Sequence, residues 1–129
     1  MQIKFASIIV DDQDKALRFY TEVLGFRKQS DLAMGGYRFL TVASPDGGAG
    51  AELVLEPLGF PPSGVYQKAR FEAGIPAAAF VSTDIIADHR HLTRRGVRFH
   101  GEPQTLGPIT TVLFEDGCGN LINLVQPAD

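Results

Sequence analysis

The sequence predicts an α+β fold made of two copies of one strand–helix–strand–strand–strand (βαβββ) module. Three observations carry this. Each half opens with a short apolar, strand-like stretch that runs into an amphipathic helix. Each helix ends on a glycine, Gly25 and Gly96, which are 71 residues apart (96 − 25). Each half also has a strand in which a polar residue interrupts an apolar alternation, Glu52 and Asn123, again 71 apart (123 − 52). A fixed internal spacing is the mark of a duplicated unit. The modules are expected at about 1–58 and 75–129 of a single domain.

The elements follow in chain order. "IKFASIIV" (3–10) is short, β-branched and aromatic, and reads as a buried strand. "DDQDKALRFYTEVLGF" (11–26) is a helix. Asp11 or Asp12 can cap it, Asp14 favours its positive end, and Ala16, Leu17, Tyr20, Val23 and Leu24 form its apolar stripe. Gly25 ends it as a C-cap glycine. "YRFLTVAS" (37–44) and "AELVLEP" (51–57) are strands around the turn-rich "PDGGAG", and "KQSDL" is a weaker strand before them. The connection 58–76 is long, rich in Pro and Gly near its start, with a short helix expected near Val65–Glu72.

The pattern then recurs. "PAAAFVS" (76–82) is strand-like, and "TDIIADHRHLTRRGV" is a helix capped by Thr83 or Asp84. "RFHGEP" is a weaker strand, and "TVLFED" (111–116) and "NLINLVQP" (120–127) are strands around a glycine turn. Gly117 and Gly119 suit the positive φ of that turn, and Cys118 between them is expected to be an exposed, inert thiol.

Composition bounds the function classes. The chain has 129 residues, 44% hydrophobic and 21% charged, with net charge −3 (12 basic minus 15 acidic). That size buries about two-thirds of the unfolded surface, so a core forms without staples. The mildly acidic balance argues against nucleic acid as a partner, and the run Arg90, Arg94, Arg95 and Arg98 reads as a solvated helix face. One cysteine excludes an intrachain disulfide and a cysteine-based zinc site. No signal peptide or apolar run of membrane-spanning length is apparent, so the expected location is cytoplasmic, with no membrane partner.

The opening "VDDQDKALRFYTEVLGF" (10–26) and the close "FEDGCGNLINL" (114–124), set in a twofold βαβββ repeat, resemble the vicinal oxygen chelate superfamily. Its members include glyoxalase I, extradiol dioxygenases, fosfomycin-resistance transferases and bleomycin-resistance proteins. The resemblance covers nearly the whole chain. It implies a cupped mixed sheet with the helices outside, and a homodimer in which the cup is often completed across two chains. In metal-using members the first and last strands of each unit carry the ligands, usually His, Glu, His or Gln, and Glu. Such a metal acts as a Lewis acid on the substrate. The matching positions here are Phe5, Glu52, Ala77 (within one residue) and Asn123. Phenylalanine and alanine do not coordinate, and an amide oxygen is a weak donor to transition metals. The expectation is therefore a site with no metal and no cofactor, in which Asn123 stands where the family has a glutamate.

By strand alternation, Phe5, Ser7 and Ile9 share a face, as do Glu52, Val54 and Glu56, then Ala77, Ala79 and Val81, then Leu121, Asn123 and Val125. The expected ligand-binding residues are Phe5, Ser7, Arg38, Glu52, Val54, Ala77, Asn123 and Tyr66, with Tyr37, Phe39, Phe60 and Phe71 as further rim candidates. Glu52 is the candidate catalytic residue, a buried carboxyl of raised pKa acting as base or binding a cation. The alternative is a carboxylate that pairs with Asn123, Arg38 or water, and a Glu52–Asn123 hydrogen bond is the structural reading of both. His89 is expected to pack in the helix stripe, His91 to be exposed and His100 to follow a strand end.

Three functions remain open at this point. One is a glyoxalase/bleomycin-resistance-like protein whose metal-free pocket binds a small, partly apolar molecule. Another is a metal-independent lyase or isomerase using Glu52. The third is a metal-dependent glyoxalase or dioxygenase.

Overall fold

The computed structural model describes residues 1–46 and 50–128. The chain forms two compact units, Met1–Gln67 and Lys68–Asp129. Residues 47–49 of the expected "PDGGAG" turn lie outside the described residues.

The first unit runs β1 (Phe5–Val10), α1 (Gln13–Arg18), a π-helical turn (Phe19–Val23), β2 (Arg27–Met34), β3 (Tyr37–Ala43) and β4 (Glu52–Pro57), then enters α2 (Pro61–Glu72). The sheet order is β1-β4-β3-β2, with β1 parallel to β4 and the other pairs antiparallel. Asp12 caps α1 by accepting the Lys15 backbone N–H at 3.0 Å. Gly25 ends the helical region at φ 83°, a conformation that costs glycine little because it has no Cβ. Ala16 and Tyr20 of the helical segment are buried, as are Ile8, Val10, Leu40, Val42 and Leu55, which alternation turns to one face of the sheet. Gln13 ties helix to sheet by donating to the carbonyls of Arg38 (3.0 Å) and Leu55 (2.9 Å).

The second unit contains β5 (Ala78–Val81), α3 (Ile85–Arg94), β6 (Gln104–Leu106), β7 (Ile109–Glu115) and β8 (Leu121–Pro127). Its sheet repeats the order, β5-β8-β7-β6, with β5 parallel to β8. Asp84 caps α3 through the Ala87 N–H at 3.1 Å, and the Gln126 amide oxygen accepts the Ile85 N–H at 2.7 Å. Ile85, Leu92, Val112, Phe114, Ile122 and Leu124 are buried. His89 packs as expected, its ring 4.4 Å from that of Phe99.

Each unit thus carries a four-stranded mixed sheet, and both follow the βαβββ order. Three details differ from the sequence reading. Helix α2 begins at Pro61, well before Val65. Proline is read as a loop marker, but in the first turn of a helix its missing N–H has no partner to lose. "RFHGEP" contributes only an isolated bridge, Phe99 to Phe114, and the edge strand is Gln104–Leu106 instead. Cys118 is buried, with 0% exposure. The cause is Asp116, whose carboxylate folds over the turn. It accepts the N–H groups of Cys118 (2.7 Å) and Asn120 (3.0 Å) and the Asn120 side-chain amide (2.9 Å), drawing the loop inward. Gly117 and Gly119 do adopt positive φ, 72° and 98°. Among the described residues, no helix is long and apolar enough to cross a membrane.

Candidate functional site

The pairing of β1 with β4 places Phe5 beside Glu52, Ser7 beside Val54 and Ile9 beside Glu56. These rows lie on the face of the first sheet turned away from its buried helix side. On β3 the same face carries Tyr37, Phe39 and Thr41, since Thr41 opposes Val54. Phe5 is 50% exposed and meets the Phe39 ring edge-on at 5.5 Å. Tyr37, and Leu32 and Met34 on β2, are also large, apolar and exposed. The result is an aromatic and aliphatic surface with a carboxylate set into it.

That carboxylate, Glu52, is only 9% exposed. Its Oε1 accepts the Thr41 hydroxyl at 2.6 Å, and its Oε2 lies 3.0 Å from the Lys4 ammonium. Lys4 also donates to the Gly50 carbonyl at 2.9 Å. Burial by itself raises a carboxyl pKa. Here the Thr41 hydrogen bond, and then that from Lys4, outweigh burial and hold Glu52 below its ordinary value. The expected raised pKa is thus reversed, because both oxygens have donors that favour the ionised form.

Asn123 occupies the corresponding place in the second sheet. It lies beside Ala79 on β5 and opposite Leu113 on β7, and its Oδ1 accepts the Thr111 hydroxyl. Thr111 opposes Val125 as Thr41 opposes Val54. Both modules therefore satisfy the residue at the repeat-related position with a threonine from the neighbouring strand. Each side chain finds a partner within its own sheet, Thr41 for Glu52 and Thr111 for Asn123.

Strand pairing also refines the match to Phe5. Counting back from the capping aspartates gives Phe5 (12 − 5 = 7) and Ala77 (84 − 77 = 7). Ala77, however, precedes β5, and the residue paired with Asn123 as Phe5 pairs with Glu52 is Ala79. Neither alanine has a donor atom in its side chain.

The remaining candidates are dispersed. Arg38 alternates to the helix side of the sheet, away from Glu52. Its guanidinium is held by Asp31 (3.1 and 2.9 Å) and Asp14 (2.5 Å), which raise its pKa, and its hydrogen bonds in turn hold Asp31 below its ordinary value. Tyr66 is exposed on α2, which is tied to β1 by the Gln67 amide donating to the Ile9 carbonyl at 2.8 Å. Phe60 is exposed, and Phe71 lies 6.4 Å from the His100 ring in the second unit. His100 bonds Glu115 at 2.8 Å, and His91 is exposed. Among the described residues, no three His, Cys, Asp or Glu side chains converge as a metal set. Lys4 and Thr41 are the site residues that sequence reasoning missed. Alternation puts Thr41 on the Phe39 face, but only the β3–β4 register brings it diagonal to Glu52.

Comparison with known proteins agrees with this architecture. The uncharacterized protein YurT of Bacillus subtilis (strain 168) is 48% identical over 126 residues, covering 98% of this chain and 99% of its own. The crystal structure of UcmS2 superposes with a TM-score of 0.84 at 30% identity, over 97% of both chains. TnmS3, described as an antibiotic binding protein from Streptomyces sp. CB03234, superposes with a TM-score of 0.79 at 31% identity, over 99% of this chain and 97% of its own. Residues 2–124 match the family described as the Glyoxalase/Bleomycin resistance protein/Dioxygenase superfamily. The repeated modules, the strand order common to both sheets and this match together show that the chain belongs to that superfamily.

Proposed function

We propose that the chain binds a small, partly apolar molecule on the face of its first sheet that carries Phe5, Phe39 and Glu52, without a metal, and that it works as a homodimer. The observation that carries this reading is the state of Glu52. It is the one carboxylate at the family's ligand positions, and both its oxygens already hold protein donors, Thr41 and Lys4. Phe5 beside it is a half-exposed aromatic surface where the family has a ligand. Ala77 and Ala79 offer no donor atom, and the Asn123 oxygen is engaged by Thr111. Mostly apolar walls with a few fixed polar groups are the usual make-up of a small-molecule site. The likeness to TnmS3, an antibiotic binding protein, supports binding over catalysis.

A metal-independent lyase or isomerase using Glu52 as base is the weaker reading. A carboxylate held ionised by two donors and kept below its ordinary pKa is a poor proton acceptor near neutrality. A metal-dependent glyoxalase or dioxygenase would need donors that these positions lack.

The test is a thermal-shift screen of small aromatic and aliphatic compounds with and without chelator. A hit should be bound equally well in EDTA, and Phe5→Ala should weaken it by up to about tenfold, the loss expected when an aromatic contact of about 0.5–1.5 kcal/mol goes. Binding that chelator abolishes would overturn the metal-free reading. On an identified hit, Glu52→Gln should leave binding measurable; turnover of that compound by the native protein, lost in Glu52→Gln, would establish the base instead.

A further inference from the structure

We propose that Lys4 is the recognition cation of this face, and that the ligand carries a carboxylate or another oxyanion beside its apolar body. The inference rests on the binding reading above and names the class of molecule bound.

The argument starts from which polar groups remain available. Glu52 is closed to a ligand: it is nearly buried, with Thr41 on one oxygen and Lys4 on the other. Lys4 is different. Its side chain is 47% exposed, and its ammonium has three N–H donors. Two of these are directed at fixed acceptors, the Gly50 carbonyl at 2.9 Å and Glu52 at 3.0 Å. A long, flexible lysine is thereby held in one place, with its third proton left for a ligand. The entropy of ordering the side chain is met before binding, which is what preorganisation means for affinity.

Position matters as much as charge. Lys4 immediately precedes Phe5, and its ammonium sits on the carboxylate that Phe5 adjoins. A molecule whose ring lies on Phe5 and Phe39 would bring a substituent to this ammonium. The other charged group on these rows is Glu56, which is exposed and four residues further along β4 than Glu52, roughly 13 Å away. An exposed ammonium donor at one end, its charge balanced by the nearly buried Glu52, and an exposed carboxylate at the other orient an anion with its charged end at Lys4. Seen against the family's metal sites, the Lys4 ammonium supplies beside Glu52 the positive charge that a metal supplies elsewhere. It cannot act as a polydentate Lewis acid, so it recognises an oxyanion without chelating two oxygens.

The test compares two probes of equal shape, 2-naphthoate and 2-naphthamide, by isothermal titration calorimetry in low-salt buffer at neutral pH. The carboxylate should bind about tenfold more tightly, because a charge-assisted hydrogen bond is roughly twice as strong as a neutral one. Lys4→Met should bring the two affinities together while the amide still binds, and Lys4→Arg should preserve the preference. Because Lys4→Met leaves Glu52 without its cation, the double variant Lys4→Met/Glu52→Gln serves as the uncharged control and should also show no preference. Equal affinities in the native protein, or a preference that survives Lys4→Met, would overturn the role of Lys4 and leave the binding face standing. Failure of both probes to bind would count against the face itself.

Discussion

Glu52 shows how far a single side chain can be read from its type and place. A polar residue in an apolar strand stands out in the sequence, and so does its counterpart Asn123, 71 residues on. Their partners do not stand out. Thr41 and Thr111 become neighbours only through antiparallel register, and Lys4 lies before the first residue of its strand. Burial alone therefore suggests a raised pKa for Glu52, and the donors reverse it. The direction fixes a pH dependence. A carboxyl whose folded pKa is depressed adds stability above its unfolded value near 4.5, and that stability is lost as pH falls through the folded value. Urea denaturation of the native protein should show stability falling as pH drops below about 4.5, and Glu52→Gln should flatten that part of the curve. An unchanged acid limb in the variant would show that Glu52 is not stabilised as an anion.

Elements were legible where local chemistry decides them. The caps Asp12 and Asp84 and the stops Gly25 and Gly96 bound their helices as the sequence indicates. Asp84→Ala should cost about 1 kcal/mol in urea denaturation, the usual value of a lost N-cap. Loss of less than a few tenths would mean that Gln126, which accepts the Ile85 N–H, suffices at that end. Elements were misread where two signals compete. Two prolines that mark a loop also open α2, and the short edge strand β6 owes its place to pairing with β7, not to its own composition. Cys118 in the turn between β7 and β8 is expected to be exposed, whereas Asp116 draws the turn inward. Cys118 should consequently react with a thiol reagent such as DTNB only after denaturation, giving one equivalent per chain. Rapid reaction of the native protein would contradict the buried turn.

For the whole molecule, the internal repeat was the strongest signal. It survives with small slips between elements. The capping aspartates are 72 residues apart (84 − 12), the polar strand residues 71 (123 − 52), and the two threonines 70 (111 − 41). The loops absorb these differences while the sheet order stays the same. The proposed homodimer belongs to this scale too. Leu32, Met34 and Tyr37 expose apolar surface on the outermost two strands of the first sheet, and light scattering should give about twice the 14.0 kDa chain mass. A monomer at micromolar concentration would contradict it. The central claim is that a superfamily site has become a metal-free binding face, its one carboxylate held by Thr41 and Lys4. The most direct test is elemental mass spectrometry on protein purified without chelator, exposed to Mn²⁺, Fe²⁺, Ni²⁺ and Zn²⁺, and desalted. The account predicts no tightly retained metal, whereas about one metal per chain would contradict it.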